Sequence, residues 1–286
     1  MIRIFSRISS NFTRHAIIIL IICTVFGATS CKSNGSSAEN DGTTELNMDS
    51  TIICDSITDP SGIKVVSSFM LAYPKSLKGS NADTVKLTRL LSNILFGVDD
   101  KDIVTTAKDY ISEELQTYES TGASESDETL EDETVKISRF DINHRVDVSS
   151  VGHDLICLVK STSTAKDKKA STANKTRYII DLTTAKQVNL ANIFEESAIP
   201  SINTLLKAQL LADNKCKDAD QLAEMGFFNI DNLCINENFL ISEDAITFFY
   251  NPLEIACYAV GEVSVAIPFE KIQEYIKKDS PICRLF

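Results

Sequence analysis

The ten glycines of this 286-residue chain never fall as G-x-G-x-x-G, G-x-S-x-G or G-x-x-x-x-G-K-[ST]. The turn that admits a dinucleotide pyrophosphate, the elbow that exposes a hydrolase serine and the loop that cradles a triphosphate thus lack their local template, which sets those enzyme classes aside. Histidine is scarcer still, with three in all, one of them His15 near the amino terminus. Neither H-E-x-x-H nor C-x-x-C occurs. A catalytic zinc takes three protein ligands and an open position. His144 and His153 with Asp141 or Asp154 would make up the number. However, His144 shares the apolar face of a strand, where a hydrogen-bonded core histidine is the simpler reading, and His153 falls in a turn. No metal and no cofactor are expected. Positive charge is also short, with 28 Lys and Arg against 40 Asp and Glu, a formal net charge of −12. So acidic a body is a poor partner for nucleic acid or for an anionic lipid surface.

What is present begins with export. Arg3, Arg7 and Arg14 precede the apolar run Ala16 to Phe26, then come Gly27, Ala28, Thr29, Ser30 and Cys31. As helix the run spans roughly 16 Å, about half a bilayer core, which suits a signal-peptide core and not a membrane span. Small residues before Cys31 and the polar stretch Lys32 to Asn40 after it resemble a bacterial lipoprotein signal. The resemblance implies removal of residues 1–30 and acylation of Cys31. Two or more acyl chains anchor stably where one binds only marginally, each buried CH₂ contributing about 0.8 kcal/mol. Losing the three arginines takes the net charge to −15.

The remainder is globular in composition, 43% hydrophobic and 24% charged over the whole chain. Residues 31–60, rich in Ser, Asn, Asp, Gly and Thr, read as a flexible tether. A body follows over 61–278, divided into 61–135 and 136–278, with a tail at 279–286. Ile63 to Tyr73 reads as a strand. Leu87, Leu90, Leu91, Ile94 and Leu95 recur at three and four within Asp83 to Phe96, an amphipathic helix with Ser80 and Asp83 placed like a capping box. From about Asp99 a second helix aligns Ile103, Ala107, Tyr110, Ile111, Leu115 and Tyr118. Glu113 to Glu133 holds nine acids and no Lys or Arg, a solvated block. Its basic counterpart, Lys160 to Arg177, reads as a hairpin loop that can dock against it.

Phe140 to Val148 alternates strictly, with Phe140, Ile142, His144, Val146 and Val148 on one side. Leu155 to Val159 and Tyr178 to Leu182 follow as strands. Ser197 and Pro200 can open a helix through Ile202, Leu205, Leu206 and Leu210. Phe239 to Ile241, Ala245 to Tyr250 and Val263 to Phe269 read as strands, before a short helix to Lys278. Strands clustered with helices, without repeated βαβ units, argue an α+β fold with a largely antiparallel sheet and helices on one face. Six thiols, Cys54, Cys157, Cys216, Cys234, Cys257 and Cys283, allow fifteen pairings in an exported protein; Cys216 with Cys234 is the preferred one.

A family resemblance enters at Phe239 to Phe269. Tyr250, Glu254, Ile255, Ala256, Tyr258, Ala259 and Gly261 match a strand, Y-x-x-Y-E-I-A-P-Y-A-x-G, strand, I-P pattern, with Leu253 and Cys257 where Tyr and Pro are usual. Asp181 to Phe194 matches a D-L-x-T-G-K-x-L-x-L-x-D-I-F segment, with Ala185 for Gly and Asn192 for Asp, while Ser171 to Lys175 stands where T-G-G-A-H is usual. Together these segments resemble the extracytoplasmic domain shared by the anti-sigma-V factor RsiV and the peptidoglycan deacetylase PdaC. The resemblance implies a module that engages an envelope protein or accompanies peptidoglycan-modifying enzymes. From the residues themselves, Tyr250, Asn251, Glu254, Tyr258 and Gly261 form a bend that serves structure or binding, with Glu254 accepting backbone N–H groups. The expectation is a lipid-anchored, non-catalytic binding or sensing module of the cell envelope, with no catalytic residue, facing the periplasm or the cell surface; a glycan hydrolase or deacetylase is the alternative. Cys31→Ser is expected to release the protein from the membrane fraction, and equal retention of wild type and variant would refute the lipoprotein reading.

Overall fold

A computed structural model describes residues 44–121, 137–167 and 169–285. Cys31, the export segment, the first part of the expected tether and most of the acidic block lie outside the described residues. Within the described residues the tether reading fails at β1 (Glu45–Thr58), which pairs antiparallel with β2 (Lys64–Lys78) along its whole length. β1 is an edge strand with only one face partly covered, by way of Leu46, Ile53 and Ile57, so its composition resembles that of a linker. Asp59 closes the hairpin by accepting the Ile63 N–H at 2.8 Å.

Two helices carry the chain from β2 to the parallel strand β3 (Arg139–Gly152). The first, α1 (Thr84–Phe96), is capped by the Asp83 carboxylate, which accepts the Lys86 N–H at 2.7 Å, and ends on left-handed Gly97. Ser80 is not part of this cap; its hydroxyl donates to the Leu182 carbonyl at 2.6 Å. The second is α2 (Ile103–Thr121). β3 then pairs antiparallel with β4 (Leu155–Lys166), and β4 with β5 (Lys169–Ala170) and β6 (Asn174–Asp181). The last strand of this sheet is β7 (Lys186–Val188), three residues long.

After β7 come α3 (Leu190–Ile193), α4 (Ile199–Asp213) and α5 (Ala219–Glu224). A second antiparallel sheet, ordered β10-β9-β8, follows as β8 (Phe239–Ile241), β9 (Ala245–Tyr250) and β10 (Val263–Pro268), with α6 (Phe269–Ile272) after it. The α+β class and the antiparallel bias agree with the sequence reading; among the described residues the one parallel pairing is β2 with β3.

The helices, expected on one face, divide between two cores. Alternation along β4 and β6 explains this: Ile156, Leu158 and Ile180 join Phe69, Leu87, Leu91, Ile111 and Phe140, whereas Leu155, Cys157 and Ile179 join Leu206, Phe248 and Val265. Helices α1 and α2 serve the first core, α4 the second.

The expected tail is a packed element. Residues Pro281–Leu285 form a 3₁₀ turn with Ile282 fully buried, and Arg284 Nη2 lies 2.8 Å from Asp181 Oδ2 at the end of β6. Burial pushes the Asp181 pKa up, but hydrogen bonds from Arg284 and Thr183 outweigh it, leaving the carboxyl below its ordinary value. A depressed carboxyl pKa contributes stability that is present above the unfolded value and is lost as pH falls through the folded one. Arg284→Ala should therefore lower stability at neutral pH by about 1–3 kcal/mol, and the gap to wild type should close on acidification. Urea melts at neutral and acid pH measure this, and an equal gap at both would contradict it.

Candidate ligand cleft at the Tyr250 to Gly261 bend

Because β7 pairs only with Ile179 to Asp181, the outer edge of β6 before Ile179 has no strand partner. Side-chain amides fill the position. Asn251 Oδ1 accepts the Lys175 N–H at 2.7 Å, and its Nδ2 donates to the Lys175 carbonyl at 3.1 Å. Asn238 Nδ2 donates to the same carbonyl at 2.9 Å, and its Oδ1 accepts the Arg177 N–H at 2.9 Å. The two asparagines stand in for a neighbouring strand and fasten the loops of the small sheet to the large one.

The Arg177 side chain completes the joint. Its guanidinium lies 3.4 Å from the Phe249 ring centroid and donates from Nη2 to Glu262 at 3.1 and 3.2 Å. Lys175 Nζ sits 3.7 Å from the same carboxylate. At this end the basic stretch meets Glu262, while Lys160 at its start interacts with Glu114, one of the described residues of the acidic block. Lys160, at the other end, donates to the Leu95 carbonyl and lies over Tyr110.

The bend has the architecture its residue types suggest. Tyr250 is buried at the end of β9, its hydroxyl donates to the Cys234 carbonyl at 2.6 Å, and burial pushes its pKa up. The Glu254 carboxylate accepts the Asn251 N–H at 3.0 Å and the Asn251 Nδ2 at 3.3 Å, as expected of it. Leu253, between them, holds a left-handed φ of 71° with its side chain 62% exposed, a costly conformation for leucine. Tyr258 is exposed, and its hydroxyl oxygen accepts the Thr172 N–H at 2.8 Å, which draws its pKa down. Gly261 turns the chain into β10 at φ 81°.

The bend walls a cleft of about 580 Å³. Facing it is the loop Asn229 to Asn238, bound through the Phe228 N–H to the Ile255 carbonyl at 2.9 Å. Five asparagines line the cleft, Asn229, Asn232, Asn236, Asn238 and Asn251, with Glu237 and Glu254 and, among the described residues, no Lys or Arg. Three of the amides are committed to the scaffold; Asn236 Nδ2, for instance, donates to the Phe249 carbonyl at 2.8 Å. Among the described residues the side chains of Asn229 and Asn232 have no hydrogen-bond partner, and both residues are exposed. Glu237 accepts the Leu190 N–H, while burial raises its pKa. The sequence motif located Tyr250, Asn251 and Glu254. It gave no sign of Asn229, Asn232, Asn238 or the Arg177–Glu262 pair, which come from loops and a strand distant in the chain.

The remaining candidates lie elsewhere. His144 is buried, with Nε2 3.0 Å from Glu114 Oε1 and Nδ1 3.0 Å from Thr162 Oγ1, the hydrogen-bonded core position expected of it. Burial raises the Glu114 pKa, but hydrogen bonds from His144 and Ser67 bring it below the ordinary value. His153 is exposed in the β3–β4 turn. Among the described residues no group of three His, Cys, Asp or Glu gathers as a metal would require. The Cys216–Cys234 pairing is not formed. All six thiols are free, Cys216 Sγ directed to the Asn214 carbonyl and Cys234 Sγ to that of Asn232, each two residues back in its own loop.

Residues 191–270 match the family described as protein of unknown function DUF3298. Among solved structures, the fold is similar to a member of that family from Bacteroides fragilis, at 21% identity and TM-score 0.65, over 84% of this chain and 97% of that one. It is also similar to a family protein from Pseudomonas aeruginosa, at 11% identity and TM-score 0.52, over 82% of this chain and 96% of that one. No curated protein matches the chain. At such identities the likeness is one of fold.

Asn251→Ala should destabilise the protein by about 1–3 kcal/mol, since it orphans the Lys175 N–H and leaves the Lys175 carbonyl to Asn238 alone. Glu254→Ala, which frees one exposed N–H to water, should cost less. Thermal melts that reverse this order would show that Asn251 does not join the sheets.

Proposed function

We propose that this chain is a lipid-anchored, non-catalytic binding or sensing module of the bacterial cell envelope, akin to the RsiV and PdaC extracytoplasmic domain, whose ligand enters the cleft at the Tyr250 to Gly261 bend. The observation that carries the reading is the pairing of a rigid, internally bonded floor with two rim amides that bond to nothing. Structural amides at a bend are normally spent on backbone, as Asn236, Asn238 and Asn251 are. Asn229 and Asn232 are held in place yet uncommitted, as a recognition surface requires.

Other features support a binding role. Cys234 lines the cleft, but neither described histidine reaches it: His144 is engaged by Glu114 and Thr162, and His153 sits in the β3–β4 turn. Tyr250, with its hydroxyl donated to a backbone carbonyl and its pKa raised, serves as floor and not as acid or base. The membrane attachment assigned to Cys31 supplies the location. Among the described residues no helix is long and apolar enough to cross a membrane.

The test is titration of the purified protein with solubilised cell-wall fragments and with lysozyme, alongside metal analysis and an assay for released acetate and new reducing ends. Saturable binding without product is the expected result. Turnover of acetylated glycan would replace this reading with the hydrolase or deacetylase alternative, and absence of binding to any envelope fraction would refute the module itself.

A further inference from the structure

Building on the cleft reading above, we infer that the ligand is a neutral saccharide, recognised by its hydroxyl and acetamido groups. Charge narrows the class first. The lining carries the carboxylates of Glu237 and Glu254 and, among the described residues, no Lys or Arg, so an anionic ligand would be desolvated against like charge. Both carboxylates already accept backbone N–H groups, Glu237 from Leu190 and Glu254 from Asn251. The groups left uncommitted on the rim, Asn229 and Asn232, are neutral amides and not charges. A hydroxyl donor needs only a remaining lone pair, since a carboxylate accepts about four hydrogen bonds.

The free groups fit the same class. An asparagine amide offers two donors and an acceptor, the complement of a hydroxyl, which is both, and of another amide. Asn229 caps and Asn232 ends one 3₁₀ turn, Ile230–Asn232, which presents the two amides together, with Asn229 left-handed at φ 57°, a conformation asparagine adopts readily. On the facing wall stand Asn251 and Glu254, held to each other by the hydrogen bonds from the Asn251 N–H and Nδ2 to the Glu254 carboxylate. Between the walls, Leu233, Ile235 and Ile255 supply an apolar floor for the C–H face of a ring, and Phe228, 36% exposed, adjoins Asn229. At about 580 Å³ the cleft falls within the roughly 300–1,000 Å³ of small-ligand sites.

An extended peptide is less well served. Peptides commonly bind by adding a strand to an open sheet edge. Here the walls are loops, and the neighbouring edge of β6 is already occupied by Asn238 and Asn251.

Four tetrasaccharide probes separate the cases by calorimetry: N-acetylglucosamine oligomer, maltotetraose, the de-acetylated glucosamine oligomer as cation and galacturonate as anion. We expect the first to bind saturably, maltotetraose more weakly or not at all, and the charged pair not at all. Asn232→Ala and Asn229→Gly should each weaken binding by about tenfold, a loss of roughly 1.4 kcal/mol, with melting temperatures unchanged because neither amide bonds internally. Preference for the cationic or anionic probe would overturn the proposal, as would binding that both variants leave intact. If no neutral probe binds while solubilised wall fragments still bind wild type and not Asn232→Ala, the saccharide class is wrong and the module stands. If the fragments also fail to bind, both fall.

Discussion

The structure turns on an unfilled sheet edge. β7 is too short to cover β6, and the N–H and C=O of Lys175 with the N–H of Arg177 would face the second core without partners. An unpaired buried backbone group costs about 1–3 kcal/mol, so three of them would cancel a large part of a domain's net stability. Asn238 and Asn251 answer all three. In doing so they fix where the small sheet sits on the large one, and the loops that carry them become the walls of the cleft. Arg177, clamped between Phe249 and Glu262, holds the same joint through its side chain.

This explains why the segment around Tyr250 has so specific a pattern. Tyr250 plugs the end of β9 and anchors the facing loop at Cys234, Asn251 crosses to β6, Glu254 holds Asn251 in position, and Gly261 releases the chain into β10. Each residue has a structural task, and the site arises as their by-product: a bonded floor with a rim whose amides are left over. The structural and binding readings of the bend are therefore complementary, applying to different residues of one feature.

What the sequence disclosed follows from how local each cause is. Asp83 and the Leu87 to Leu95 stripe define α1 by short-range capping and periodicity, and the alternation of Phe140 to Val148 foretold the burial of His144. The limits of β8 and β9 were legible because turn residues bracket them. β1 was missed because an edge strand half open to solvent needs few apolar residues; its pairing with β2, not its composition, makes it a strand. Residues 279–286 looked like a tail for a related reason, since Ile282 and Arg284 acquire partners only after β6 and the second core have formed. At the site, Tyr250, Asn251 and Glu254 were visible as a motif, whereas Asn229 and Asn232 are indistinguishable in sequence from the polar residues of any exposed loop.

The central claim is that the asparagine joint between the sheets builds the ligand cleft, and amide hydrogen exchange tests it most directly. In the free protein the Lys175 and Arg177 amides should exchange slowly, at rates comparable to those of the β4–β6 ladder. Adding solubilised cell-wall glycan should increase protection in the loops 229–238 and 250–257 and leave the β1 edge unchanged. Rapid exchange at Lys175 and Arg177, or ligand protection confined to β1 or to the α1–α2 face, would contradict the account.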